Sequence, residues 1–450
     1  MSRKPLAPPP AVPQAISGNI HEIRSYRIIT PLLGGGAKVK HPDSQTVVRA
    51  SALRGLLRFW WRAMRGGHSN GDIKWLKKRE AEIWGGRVGS TMYPSKVTIV
   101  VKNAHIGSRV TTDNDLGVGG NVSIDDITSK VSYALFILRA QGGVQQEFDI
   151  RSDVRFDLEV TYPSDIALDV RAAIWAWQTF GGVGARTRRG LGAVELEKVN
   201  GKKYAIPTLQ QMPEYFRDQL NYFEVGGKWP AGTPHVLGIH TAGTYNADGA
   251  SVRLVAAKPN ATANAIWVDL VQRYRNFRQE RFMRPHNGTH KPFGSSVWLD
   301  ANGIRSKYGV TRHGQSDYGE AAHVPRAQMG LPIVSQFINR KFDTSVGSVV
   351  QFIVENEVGR HASPVIFRPL AVDGGYVGML LILGNSRIRG QVNLKANDGG
   401  TRQRFGGVHQ IPTVGNTPIQ DKGGDKGENR QPHGPTNTAD VLAGLFNFMK

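Results

Sequence analysis

Hydrophobic and polar positions along this chain follow two periods, and the switches between them mark its elements. His21–Ile29 alternates in rough twos and predicts a first strand. Residues 51–65, SALRGLLRFWWRAMR, switch to the helical period: Leu53, Leu56, Leu57, Trp60, Trp61 and Met64 share one face, and Ser51 stands where an N-cap belongs. Val97–Val101, Val131–Leu138 and Val154–Val160 return to strand-like runs, Asp165–Phe180 reads as a helix, and Ala193–Val199 as a strand. The order strand, helix, strands, helix, strand predicts a ferredoxin-like domain over residues 20–205.

Residues 1–19 are proline-rich and predict a flexible lead, and residues 206–232 a connector. A second half, residues 233–450, offers a strand at Ser251–Ala256, a helix at Ala263–Phe282 and a short helix at Ile333–Asn339. Strands follow at Val349–Asn356, Val365–Leu370 and Tyr376–Leu383, then a polar segment over 395–438 that predicts a mobile loop, and a terminal helix at Ala439–Met449. The fold class expected is α+β: two tandem ferredoxin-like (RRM-like) domains with glycine-rich loops and long insertions.

Charge changes the picture most. Lys and Arg number 57 against 36 acids, a formal net charge of +21, which favours a polyanionic partner such as nucleic acid. The chain has 0 cysteines, which excludes disulfides, thiolate metal sites and cysteine nucleophiles. No apolar run approaches a membrane span and the basic N-terminus lacks the apolar core of a signal peptide, so a cytoplasmic protein without membrane contact is expected.

Two basic motifs carry the candidate chemistry. On the first helix Arg54, Arg58, Arg62 and Arg65 share a stripe without an acid between Ser51 and Met64, and Arg49 adds charge upstream. Guanidinium forks bind phosphate bidentately, so the stripe predicts contact with an external anion; the competing reading is a solvated face or salt bridges elsewhere in the fold. The tryptophans, on the apolar period, belong to the core. The second motif is GGVGARTRRGLG at 181–192, where Gly182, Gly184, Gly190 and Gly192 bracket Arg186, Arg188 and Arg189. Exposed N–H groups plus three guanidiniums would make a phosphate-binding ledge.

This G-x-G-x5-G-x-G loop, closing a ferredoxin-like half, resembles the signature loop of the RAMP superfamily of CRISPR systems. The turn Thr30-Pro31-Leu32 with Gly34-Gly35-Gly36-Ala37, and the helix with Arg49, Ser51, Leu53-Arg54-Gly55, Leu57-Arg58-Phe59-Trp60-Trp61-Arg62, resemble subunit one of the type III-B (Cmr) effector complexes. Ala50 and Ala52 depart from that pattern. Looser matches at Pro325-Arg326, Gly330–Ile333 and Arg360–Leu370 extend the likeness over most of residues 20–385. The resemblance implies two RRM-like RAMP domains and a non-catalytic subunit. It would contact the 3′ end of guide RNA, help capture single-stranded target RNA, and sit beside other RAMP subunits. Lys38 and Lys40, in the turn, join the arginines as candidate RNA contacts.

Enzyme signatures are otherwise lacking. There is no P-loop and no HExxH; Gly67-His68-Ser69-Asn70-Gly71 satisfies GxSxG but follows a helix, without the context of a nucleophile elbow. Were the chain a RAMP endoribonuclease, His21, His41 and Asp43 would be the candidates for acid–base work. A third reading is a subunit that chiefly docks protein neighbours. No cofactor or metal is expected.

Overall fold

The computed structural model describes residues 18–126, 128–138, 147–255, 259–279, 281–286, 289–296, 325–330, 334–337, 348–354, 361–386, 391–397, 409–412 and 441–449. The expected proline-rich lead, but for its last two residues, and most of the 395–438 loop lie outside the described residues.

Strand β1 (Asn19–Ile28) leads to helix α1 (Ala50–Arg65), which a tight turn joins to α2 (Ile73–Trp84). Strands β2 (Thr98–His105) and β3 (Arg155–Pro163), helix α3 (Ala167–Phe180) and strand β4 (Val194–Val199) complete the first half. The sheet is antiparallel in the order β4–β1–β3–β2, with a short β5 (Lys202–Lys203) outside β4. Period-two alternation explains its faces: Phe156, Leu158, Val160 and Tyr162 of β3 are buried beneath α1 and α3. The opposite face carries Asp157, Glu159, Glu195 and Glu197, partly exposed.

Helix α1 begins at Ala50 with Arg49 as its N-cap and no side-chain cap, so Ser51 does not play the expected capping part. Its apolar face is as the period predicts: Leu53, Leu57, Trp60, Trp61 and Met64 are buried. The GxSxG segment forms a 3-10 turn between α1 and α2, where buried Ser69 donates to the Gly66 carbonyl at 2.7 Å.

The structure differs from the sequence pattern at five places. Residues 206–232 hold helix α4 (Met212–Tyr222), whose Met212, Phe216 and Leu220 are buried, so the segment packs as part of the body. Val131–Leu138 is a series of turns ending in a 3-10 turn, because a largely apolar run can bury most of its side chains without pairing as a strand. Of the helix expected at Ile333–Asn339, the described residues Val334–Phe337 form strand β9, where Val334 and Phe337 find ladder partners. The 395–438 loop includes a strand at His409–Pro412, and the helix expected to reach Phe282 ends at Gln279.

In the second half β6 (Ser251–Val255) is followed by α5 (Ala263–Gln279) and the hairpin β7 (Arg281–His286) and β8 (Thr289–Ser296). β9 pairs with β10 (Ser348–Val354), and the hairpin β11 (Val365–Val372) and β12 (Gly375–Ile382) follows. Strands β13 (Gln391–Asn397) and β14 (His409–Pro412) extend the β9–β10 sheet, and α6 (Val441–Phe448) lies near the end of the chain. β6, β12 and β11 form one sheet in that order, which is the first–third–second order of β1, β3 and β2.

This second sheet is buried on both faces. Ile366, Leu370, Val372, Met379 and Leu381 join the core of the first half, whereas Val365, Phe367, Leu380 and Ile382 pack with Trp267, Tyr274 and Phe277 of α5 and with α6. Two-sided burial accounts for the long apolar runs of these strands, which Arg253 interrupts in β6 and Arg368 in β11. No helix among the described residues is long and apolar enough to cross a membrane.

Candidate nucleic-acid interface

The TPL-x-GGGA turn and the glycine-rich loop are brought together backbone to backbone. A Cβ on Gly35 would lie 3.4 Å from the Gly184 Cα, and one on Gly184 would lie 2.5 Å from the Leu33 carbonyl oxygen. Ala185 N–H donates to Leu33 at 2.6 Å and Gly192 N–H to Pro31 at 2.9 Å, while Val183 and Gly192 bond across the loop at 2.8 Å. The ledge of free N–H groups expected from the glycines is therefore largely spent inside the fold. The glycines are needed for close approach and for positive φ at Gly184, Gly190 and Gly192.

The same loop is the seam between the halves. Arg188 donates to the Ser363 carbonyl, and Arg189 to the Val365 carbonyl at 2.9 Å. The Trp267 indole on α5 donates to the Arg189 carbonyl at 2.7 Å, and Thr30 donates to that of Gly190 at 2.6 Å.

Helix α1 is where the expectation fails. Arg58 and Arg62 both pair with Glu80 of α2, the first at 2.7 Å, and Arg65 lies 3.5 Å from both Asp169 and Glu224. Glu80 lies 18 to 22 residues down the chain, so no intrahelical spacing announces it. Arg49 donates to Gly35 at 2.7 Å, tying the turn to the helix. Arg54 alone of the stripe has no carboxylate among the described residues; it donates to Ser95 and to the Val97 carbonyl at 3.0 Å. Burial, reinforced by Arg58, lowers its pKa.

Cations without a counter-charge gather instead in the loop. Arg186, Arg188 and Arg189 are half-buried and have no carboxylate partner among the described residues. Each faces an aromatic ring: Arg186 over Phe136 at 4.2 Å, Arg188 over Phe59 at 5.6 Å, Arg189 over Tyr274 at 4.5 Å. Burial, and then Arg189 beside them, pushes Arg186 and Arg188 down to about 10, so both remain charged at neutral pH but under-solvated. An anion at this seam would restore what burial takes from them.

In the turn, Lys38 pairs with Glu147, and the Lys40 carbonyl accepts from Asp149 N–H at 3.1 Å. His21, His41 and Asp43 have local partners. His21 bonds Thr161 at 3.0 Å and lies 3.7 Å from Glu159, and His41 Nδ1 meets the Val39 carbonyl at 2.9 Å. Asp43 accepts from Gln45 N–H at 3.0 Å and Thr46 N–H at 2.9 Å, bonds that hold its carboxyl below its usual range. Phe136, which the sequence pattern folded into an apolar run, is 52% exposed.

Comparison with known proteins bears on the same segment. Residues 25–195 match the model of the RAMP superfamily. The curated CRISPR system Cmr subunit Cmr1-1 of Pyrococcus furiosus is 22% identical over 156 residues, 34% of this chain but 42% of that protein. The match thus spans less than half of that relative's length. Cmr subunit Cmr1-2 of the same organism is 25% identical over 182 residues, 38% of this chain and 91% of that one. Among solved structures, apo Cmr1 from P. furiosus aligns with a TM-score of 0.46 at 15% identity, over 82% of this chain and 89% of that one. A chain of a type III-B Cmr-beta complex bound to cognate target RNA aligns at 0.42 and 11% identity, over 82% and 95%. The segment that builds the first sheet, the arginine-bearing helix and the glycine-rich loop is the part of the chain, residues 25–195, that is similar to the RAMP superfamily.

Proposed function

We propose that this chain is a non-catalytic, RNA-binding subunit of a cytoplasmic type III-B CRISPR effector complex, built on two ferredoxin-like halves. It contacts the 3′ end of guide RNA, helps capture single-stranded target RNA, and docks against other RAMP subunits. The carrying observation is the cluster of Arg186, Arg188 and Arg189, which lacks carboxylates among the described residues and sits where the family's turn and loop meet. Two curated relatives that are Cmr subunits support the assembly. The βαββαβ connectivity of the first half, and the same strand order in β6, β12 and β11, support the tandem architecture. The acids on the open face of the first sheet already engage its cations, Lys102 on Glu159 and Arg155 on Glu197, which disfavours that face as the RNA platform. The local bonds of His41 and Asp43 favour structural parts for both.

The test is RNA crosslinking with partner subunits present, mapped to residues, alongside two variants. Arg186→Glu with Arg54→Glu should weaken RNA binding by about tenfold or more while assembly persists. Arg58→Glu with Arg62→Glu should act mainly through stability, since Glu80 then loses both partners. RNA affinity unchanged with assembly lost would favour the protein-docking reading. RNA cleavage abolished by His41→Ala or Asp43→Ala would instead make the chain an endoribonuclease.

A further inference from the structure

Trp75 and Tyr222 are exposed, but many large rings among the described residues are buried: Tyr26, Trp61, Trp84, Tyr162, Trp177, Trp267 and Tyr274 are all under 2% exposed. Phe136 departs from that pattern at 52% exposed, and it does so beside the arginine cluster. Its backbone is anchored, because it opens a 3-10 turn whose Leu138 is fully buried and whose Leu135 neighbour lies in the second core. The ring is thus held at a fixed place on the surface.

The Arg186 guanidinium lies 4.2 Å from the centre of that ring. Arg186 takes a left-handed backbone conformation, φ 60°, which is costly for a long side chain. Neighbouring bonds hold it there: Ala185 N–H to Leu33 at 2.6 Å and Arg189 N–H to the Arg186 carbonyl at 2.8 Å. A strained main chain therefore aims a cation without a carboxylate partner at a solvent-facing aromatic. Neither feature serves the core, since the ring stays wet and the cation stays uncompensated.

We propose that Phe136 and Arg186 form a stacking site for one unpaired nucleobase of the bound RNA, with the adjoining arginines taking the flanking phosphates. This rests on the RNA-binding reading above and specifies how that site takes its ligand. A base stacks on any aromatic face and on a guanidinium plane alike, so the site is tolerant of sequence. Its demand is for a base free of pairing, which a duplex does not offer. The open face of the first sheet carries the acids Asp157, Glu159, Glu195 and Glu197, and the His21 ring there is held by Thr161 and lies beside Glu159.

The experiment uses the full chain assembled with its partner subunits and a labelled single-stranded RNA, with a second set of strands carrying one abasic nucleotide walked along the sequence. Phe136→Leu keeps an apolar side chain but removes the ring and should weaken binding about 5- to 100-fold. Phe136→Trp should bind within about twofold of wild type, and its fluorescence should be quenched on addition of RNA. For wild type, one abasic position should cost as much as Phe136→Leu, and for Phe136→Leu that position should cost nothing further. Melting temperatures of the two variants check that both are folded. If Phe136→Leu binds every strand as wild type does while Arg186→Glu is weakened, stacking is overturned and RNA binding stands. If Phe136→Leu loses a partner subunit and keeps its RNA affinity, the ring is a protein contact and stacking is overturned. If wild type in the assembly gives neither binding nor crosslink, the RNA reading falls and stacking with it.

Discussion

Arg368 is fully buried on β11, on the face turned toward the first half, and it meets carbonyls rather than carboxylates. Its guanidinium donates to Gln178 at 2.9 Å, Gly181 at 2.7 Å, the Val194 carbonyl and its neighbour Pro369 at 2.9 Å. Burial pushes it down to about 9, with Glu195 pulling the other way, so it is charged at neutral pH. Replacing it by Met leaves those carbonyls dry and unbonded. Arg368→Met should cost about 3 kcal/mol or more of stability in urea unfolding, against less than about 1 kcal/mol for the exposed Lys102→Met. In the stretch RHASPVIFRPL the inward arginine is not legible, because alternation assigns a face to a position and cannot tell a bonded cation from a solvated one. Phe136 was hidden for the converse reason: within VSYALFIL it is one apolar residue among many.

Among elements, the glycines divide into two kinds that the sequence does not distinguish. A Cβ on Gly190, at φ 80°, would lie 2.6 Å from Trp267 Cδ1 and 2.9 Å from the Phe367 carbonyl oxygen. Gly55 lies in the exposed middle of α1 with nothing within 4 Å. Gly190→Ala should therefore destabilise by about 2–4 kcal/mol, and Gly55→Ala should stabilise by about 0.5–1 kcal/mol. Thermal melts of the pair check both signs at once. The first sheet was largely legible, since its strands and helices follow clean periods. Helix α4 left only the narrow stripe Met212, Phe216, Leu220 amid polar residues, and its segment reads as a connector for that reason. The pairing of α1 with Glu80 was not legible at all, because it depends on how α2 folds back.

At the scale of the whole molecule, net charge alone would misplace the proposed interface. The formal charge of +21 is spread over many cations, and those of α1 are largely answered by Glu80, Asp169 and Glu224. What distinguishes a phosphate contact is the lack of such an answer. For a single strand, log affinity should fall with log salt at about −0.7 per phosphate neutralised. Arg188→Gln should shallow that slope by about 0.7, and Arg58→Gln should leave it nearly unchanged; a salt titration of RNA binding reads both.

Three of the four carbonyls held by Arg368 come from the end of α3, the loop after it and the start of β4, so a single planar group pins three pieces of one half to a strand of the other. A flat fork with fixed angles tolerates little sliding or swivel between them. The two halves thus behave as one stiff bracket rather than a pair of jaws. A strand of RNA lying along the seam would meet a preset contour, and any adjustment of fit would fall to the nucleic acid and to the loops around it.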